Sequence, residues 1–231
     1  MSKKKVAKKK TYVSIVLDQS GSMGNIWDDT IGSFNTQVDA IRTASKGNET
    51  FVTLTLFDTY VDIKYFAEPV EKLVELSRLT YRPDGGTAMY DAIGKTIDRM
   101  QKEIKDIDDP NVAVLFVIIT DGQENSSSTV SGAMLGDIIK SLNKTKRWTF
   151  SVLGANIDLE SLSATLNINT SNMAKFSANA VGVASANVVT TASYSRYFDS
   201  RNSVDDVASA SISSNFYNES GDAVIDADKI K

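Results

Sequence analysis

Apolar residues along this chain follow two rhythms, short near-continuous runs and longer stretches spaced by three and four. Tyr12 to Leu17 is a run of the first kind and predicts a buried strand. Behind it Trp27, Ile31, Phe34, Val38 and Ile41 step by four and three, as one face of an amphipathic helix does, and that spacing places Trp27 in the core. Asp28 and Asp29 stand near its start, where the helix dipole favours negative charge. Phe51 to Phe57 and Val61 to Phe66 flank the polar turn Asp58-Thr59-Tyr60 and predict a hairpin, hence one antiparallel strand at a sheet edge. A second helix carries Ala92, Ile93, Ile97, Met100, Ile104 and Ile107. Val112 to Ile119 then forms a run too short for a bilayer and rich in branched residues, as a central parallel strand covered on both faces requires. Val130 to Leu142 reads as a helix, Trp148 to Leu153 as a strand, Leu159 to Leu166 as a helix and Met173 to Phe176 as a short strand. Ala178 to Arg196 permits a last helix.

The alternation of strand and helix predicts an α/β fold, a doubly wound and mainly parallel sheet with one antiparallel edge strand. In such a sheet ligands bind beyond the carboxyl ends of the strands, where strand order reverses. The 231 residues suit one domain with tails. Residues 1–10 carry six lysines and predict a disordered basic arm, 11–197 the folded domain, and 198–231 a polar acidic tail with one short element near Val204 to Ile212.

Composition narrows the chemistry. Histidine and cysteine are both absent, so the commonest general base, the usual zinc and copper ligands and any disulfide are excluded, leaving oxygen donors for a metal. The lack of cysteine, of a signal-peptide pattern and of a membrane-length apolar run together predict a cytoplasmic protein without a membrane partner. The net charge of −4 speaks against nucleic acid as the main partner, leaving at most an accessory contact through the N-terminal lysines.

Oxygen donors gather at three places. Asp18, Ser20 and Ser22 leave the end of the first strand as D-x-S-x-S; alone, this triplet reads as readily as a cap or turn. Gly85-Gly86-Thr87 follows Pro83-Asp84 just ahead of the second helix, and Thr120-Asp121-Gly122 closes the most hydrophobic run. Together Asp18, Ser20, Ser22, Thr87 and Asp121 resemble the metal-ion-dependent adhesion site of the von Willebrand factor A (vWA) domain family, in the same chain order. The likeness runs from about Thr11 to the region of Arg196. It also covers Phe57-Asp58 and Tyr90-Asp91-Ala92, with Asp91 read as a helix-start carboxylate rather than a ligand.

The resemblance implies an intracellular, stand-alone vWA domain, a non-enzymatic adaptor for protein–protein interaction. It implies a magnesium ion, with manganese or calcium as alternatives, held by those five residues and completed by an Asp or Glu of a partner protein. Magnesium takes six hard oxygens, so neutral hydroxyls from Ser20, Ser22 and Thr87 suit direct contact while Asp18 and Asp121 act through water or hydrogen bonds. Gly21 and Gly86 are expected to let the backbone turn beneath the ion. Other readings fare worse. Gly94-Lys95-Thr96 imitates the end of a P-loop, but Met89 stands where its first glycine belongs, and no G-x-G-x-x-G is present. A metal-dependent hydrolase or phosphatase-like enzyme is the alternative, and it lacks a base other than the two aspartates.

Overall fold

The computed structural model describes residues 9 to 203, 215 to 217 and 225 to 229. Seven strands form one sheet: β1 (Lys10–Asp18), β2 (Glu49–Phe57), β3 (Val61–Pro69), β4 (Val112–Thr120), β5 (Trp148–Gly154), β6 (Met173–Lys175) and β7 (Ile225–Asp226). Their order is β3-β2-β1-β4-β5-β6-β7, with every neighbouring pair parallel except β2 with β3. Among the described residues five α-helices cover it: α1 (Trp27–Ala44), α2 (Met89–Glu103), α3 (Gly132–Lys144), α4 (Leu159–Leu166) and α5 (Ala180–Ser203). The sheet is thus doubly wound with one antiparallel edge strand, as the alternation of apolar runs predicts.

Both faces of β4 are buried, which explains its unbroken apolar run. Leu115, Val117 and Ile119 join the core under α1 and α5, while Val114, Phe116 and Ile118 join the core under α2, α3 and α4. The chain leaves β1 toward β2 on one side, and leaves β4 toward β5 on the other. The carboxyl ends of β1 and β4 therefore diverge, opening the crevice that such sheets use for ligands.

Several boundaries differ from the sequence reading. The helix expected to reach Ile107 ends at Glu103; Ile104 is extended, and Ile104 and Ile107 are buried in the turn that follows. Val130 lies outside α3, because the Ser131 side chain accepts from Met134 N and caps the helix one residue later. Lys10 belongs to β1 rather than to the arm. Past residue 197, α5 continues to Ser203, burying Phe198 and Arg201, and Phe216, Tyr217 and Ala227 also enter the core. Phe216 packs against Tyr194, Tyr197 and Tyr217 with ring centroids 4.8 to 6.3 Å apart. Isolated aromatics in a polar stretch carry no periodicity, so this cluster escapes a pattern reading. Residues 1 to 8 and 204 to 214, with the arm and the short element expected there, lie outside the described residues. Among those described, no helix is long and apolar enough to cross a membrane.

Candidate metal centre

The five oxygen-bearing residues come from three loops at the carboxyl ends of β1 and β4, and the structure brings them together. Asp18 is the last residue of β1 and is fully buried. Its Oδ1 accepts the Ser20 N–H at 2.7 Å and its Oδ2 accepts the Thr120 hydroxyl at 2.6 Å, so both oxygens are engaged and the carboxylate is fixed in place. Ser20 Oγ lies 3.2 Å from Ser22 Oγ, and Ser22 Oγ donates to Asp121 Oδ1 at 2.5 Å. A Cβ built on Gly122 would stand 3.3 Å from Thr87 Oγ1 and 3.4 Å from Ser22 Oγ, so both hydroxyls flank that glycine. Thr87 is 3% exposed, and among the described residues its Oγ1 has no hydrogen-bond partner.

Further bonds that do not use these three hydroxyls hold the loops. Tyr81, wholly buried, donates its hydroxyl to Asp18 O at 2.7 Å. Gly21 N–H donates to Gly85 O at 3.1 Å, tying the first loop to the second. Gly85 has φ +68°, and a Cβ there would meet Thr59 Oγ1 at 2.7 Å; at Gly86 it would meet Ser126 Oγ at 2.1 Å. Glycine is thus required at 85 for the left-handed turn and at 86 for close approach, whereas Gly21, expected to serve the turn, keeps an ordinary φ. Thr87 N–H donates to Asn125 Oδ1 at 2.8 Å, and the amides of Asn125 and Ser126 donate back to Thr87 O. Glu124 Oε2 accepts Tyr90 N–H at 2.9 Å in the first turn of α2. Asp91 accepts from the amides of Ser128, Thr129 and Val130, so the helix-start carboxylate also clamps the loop after β4.

Sequence reasoning missed Thr120, Tyr81, Glu124 and Asn125 as positioning residues. Thr120 had a signal, since it adjoins Asp121 at a strand end. Glu124-Asn125 lies in a polar stretch that looks like any turn, and Tyr81 precedes its loop as an ordinary apolar position.

Burial pushes the Asp18 carboxyl up to about 6; the Thr120 hydroxyl and the Ser20 amide and hydroxyl pull it down, and the Asp121 charge raises it further. Asp121 is also raised by burial, against the Ser22 hydroxyl. Neither aspartate has a salt bridge to a basic residue among the described residues. Two crowded, desolvated carboxylates behind three hydroxyls form a site that a small divalent cation would neutralise, and the donors are the hard oxygens magnesium prefers. Among the described residues no three His, Cys, Asp or Glu side chains gather as a metal cage; this donor set is hydroxyl-rich instead. The Thr87 hydroxyl, beside Gly122 and on the same side as that of Ser22, fits it.

No protein-family model and no curated protein sequence matches the chain. Its structure resembles that of manganese-loaded TRAP protein from Plasmodium vivax, at 17% identity and TM-score 0.52, over 74% of this chain and 69% of that one. It also resembles the PilB minor pilin from Streptococcus sanguinis, at 14% identity and TM-score 0.57, over 84% and 61%. A third likeness is to VWA2, an ArnB paralog from Sulfolobus acidocaldarius, at 17% identity and TM-score 0.50, over 80% and 44%. The chain thus spans less than two thirds of the last two structures. At such identities the likeness shows the fold, which is vWA-like.

Proposed function

We propose that this chain is a magnesium-dependent protein-binding module, cytoplasmic and non-enzymatic, whose metal centre captures an Asp or Glu of a partner protein. The observation that carries this reading is the arrangement of Ser20, Ser22 and Thr87 hydroxyls in front of Asp18 and Asp121 at the fork between β1 and β4. A vWA-like fold suits an interaction module, and one structural neighbour is manganese-loaded.

In this account Ser20, Ser22 and Thr87 hold the ion directly. Asp18 and Asp121 hold the hydroxyls and supply charge from behind, since Asp121 already accepts from Ser22 and Asp18 from the Ser20 amide and Thr120. Bound magnesium supplies an electrophilic position that an outside carboxylate can occupy. Ser22 is exposed while Asp18, Ser20, Thr87 and Asp121 are buried, so the approach is from the face that carries Ser22. The chain has no histidine, and among the described residues no third acid joins Asp18 and Asp121, which favours binding over turnover in this reading.

The test is partner capture by the immobilised full chain under three conditions: wild type in magnesium, Ser20→Ala with Ser22→Ala in magnesium, and wild type in chelator. A partner retained only under the first condition is expected. Equal retention under all three overturns the metal-dependent reading.

A further inference from the structure

Gly122 borders two surfaces. One side faces the Ser22 and Thr87 hydroxyls, and the other opens a groove of about 290 Å³ between the start of α2, the loop after β4 and α4. Its lining is mixed: Met89, Ile157 and Leu162 supply the apolar part beside the polar Gln123, Ser161 and Thr165, and Glu124 and Asp158 add two carboxylates, with no basic residue among them. Each carboxylate caps a helix: Asp158 Oδ1 accepts Ser161 N–H at 2.9 Å at the start of α4, and Glu124 serves α2 as described. A helix N-terminus carries roughly half a positive charge, so two full negative charges outweigh two helix ends by about one unit. Among the described residues neither carboxylate forms a salt bridge to a basic residue.

We propose that this groove receives a Lys or Arg side chain of the same partner segment whose carboxylate enters the metal centre. The carboxylate half rests on the function proposed above; the groove half rests on its own charge and shape. A basic side chain has an aliphatic stem for the apolar part of this mixed lining and a cationic end for its two carboxylates. An acidic occupant would be repelled, and a purely apolar one would leave both carboxylates, which are hydrogen-bonded to backbone amides and, at Glu124, to the Ser127 hydroxyl, without a counter-cation. Because Gly122 is shared, the two side chains lie within about three residues of one another in an extended segment, at ~3.3 Å per residue.

The full chain, isotope-labelled and saturated with magnesium, is titrated by NMR with three probes at millimolar concentration: acetyl-Glu-Gly-Arg-amide and its counterparts with Gln or Leu in place of Arg. The Arg peptide should bind about three- to fivefold more tightly than the Gln peptide, the size expected of exposed ion pairs. It should shift the Glu124 and Asp158 amides. Asp158→Asn, which keeps a good helix cap, should shrink that advantage while the Gln peptide still binds. Equal binding of Arg and Gln peptides, tighter binding of the Leu peptide, or no shift at the groove overturns the inference. Chelator separates the two readings: if it abolishes binding of all peptides while Arg and Gln bind equally in magnesium, the metal reading stands and the groove proposal fails. If peptide affinity is the same with and without chelator, the metal reading fails, and the Arg-to-Gln ratio alone decides the groove.

Discussion

The Thr120 hydroxyl donates to Asp18 Oδ2 at 2.6 Å, joining the last residues of β1 and β4 across the fork at which the sheet changes direction. Both residues are fully buried. The bond therefore orients a carboxylate that no solvent can reorient, and it directs the pair Asp18 and Asp121 toward one set of hydroxyls. Thr120→Val keeps the shape and removes the donor. It should cost about 1–3 kcal/mol, the range for losing a hydrogen bond to a buried charged group. Urea unfolding in chelator measures that loss, and wild-type stability in the variant would contradict the role given to Thr120.

Asp91 is expected to make the loop after β4 sensitive to acid. Its pKa is lowered overall: burial pushes it up, but the amides of Ser128, Val130 and Thr129 pull it down further. A depressed folded-state value means the stabilisation is complete above the ordinary value of 3.8 and is lost as pH falls through the lower folded value. Asp91→Asn should thus be less stable than wild type by about 1–3 kcal/mol at pH 7. The gap should close in strong acid. Denaturant midpoints of the two proteins across that range provide the check; a gap that stays constant with pH would contradict the clamp.

Phe216→Ala should behave as a core truncation. Phe216 is fully buried among Tyr194, Tyr197 and Tyr217, and deleting such a ring costs about 3–5 kcal/mol. Thermal and chemical unfolding of the variant measure this. A change within error of zero would mean that the segment contributes nothing to the domain.

The parts legible in the sequence are those where one physical signal dominates. Val112 to Ile119 could be read because a strand covered on both faces must be apolar, the strand itself running one residue further to Thr120, and Leu159–Leu166 because its bounds coincide with its apolar spacing and Asp158 caps it. The five candidate ligands come from the resemblance to the vWA adhesion site, and the structure places them at strand ends and beside a helix start. What stayed hidden depends on contacts distant in sequence. Asn125 receives the Thr87 amide from 38 residues away, and Tyr81 reaches Asp18 across 63, and neither contact leaves a local trace. Ile104 and Ile107 continue the helical spacing only by coincidence; they fill the core from a turn, so periodicity overran the helix end. The same limit applies beyond residue 197, where Phe198, Arg201 and Phe216 are buried singly in a polar stretch.

The most direct measurement is calorimetric titration of magnesium into the metal-free full chain, beside Asp121→Ala and Thr87→Ala, with thermal unfolding to verify that the variants fold. The Ser22 hydroxyl has Asp121 as its acceptor and the Thr87 hydroxyl has no hydrogen-bond partner among the described residues, so each truncation removes a distinct part of the site. Wild type should bind one equivalent of magnesium and gain thermal stability with it, as any ligand of the folded state confers. Asp121→Ala should bind none, and Thr87→Ala should bind more weakly. Magnesium binding of unchanged affinity in both folded variants would contradict the assignment of the metal centre.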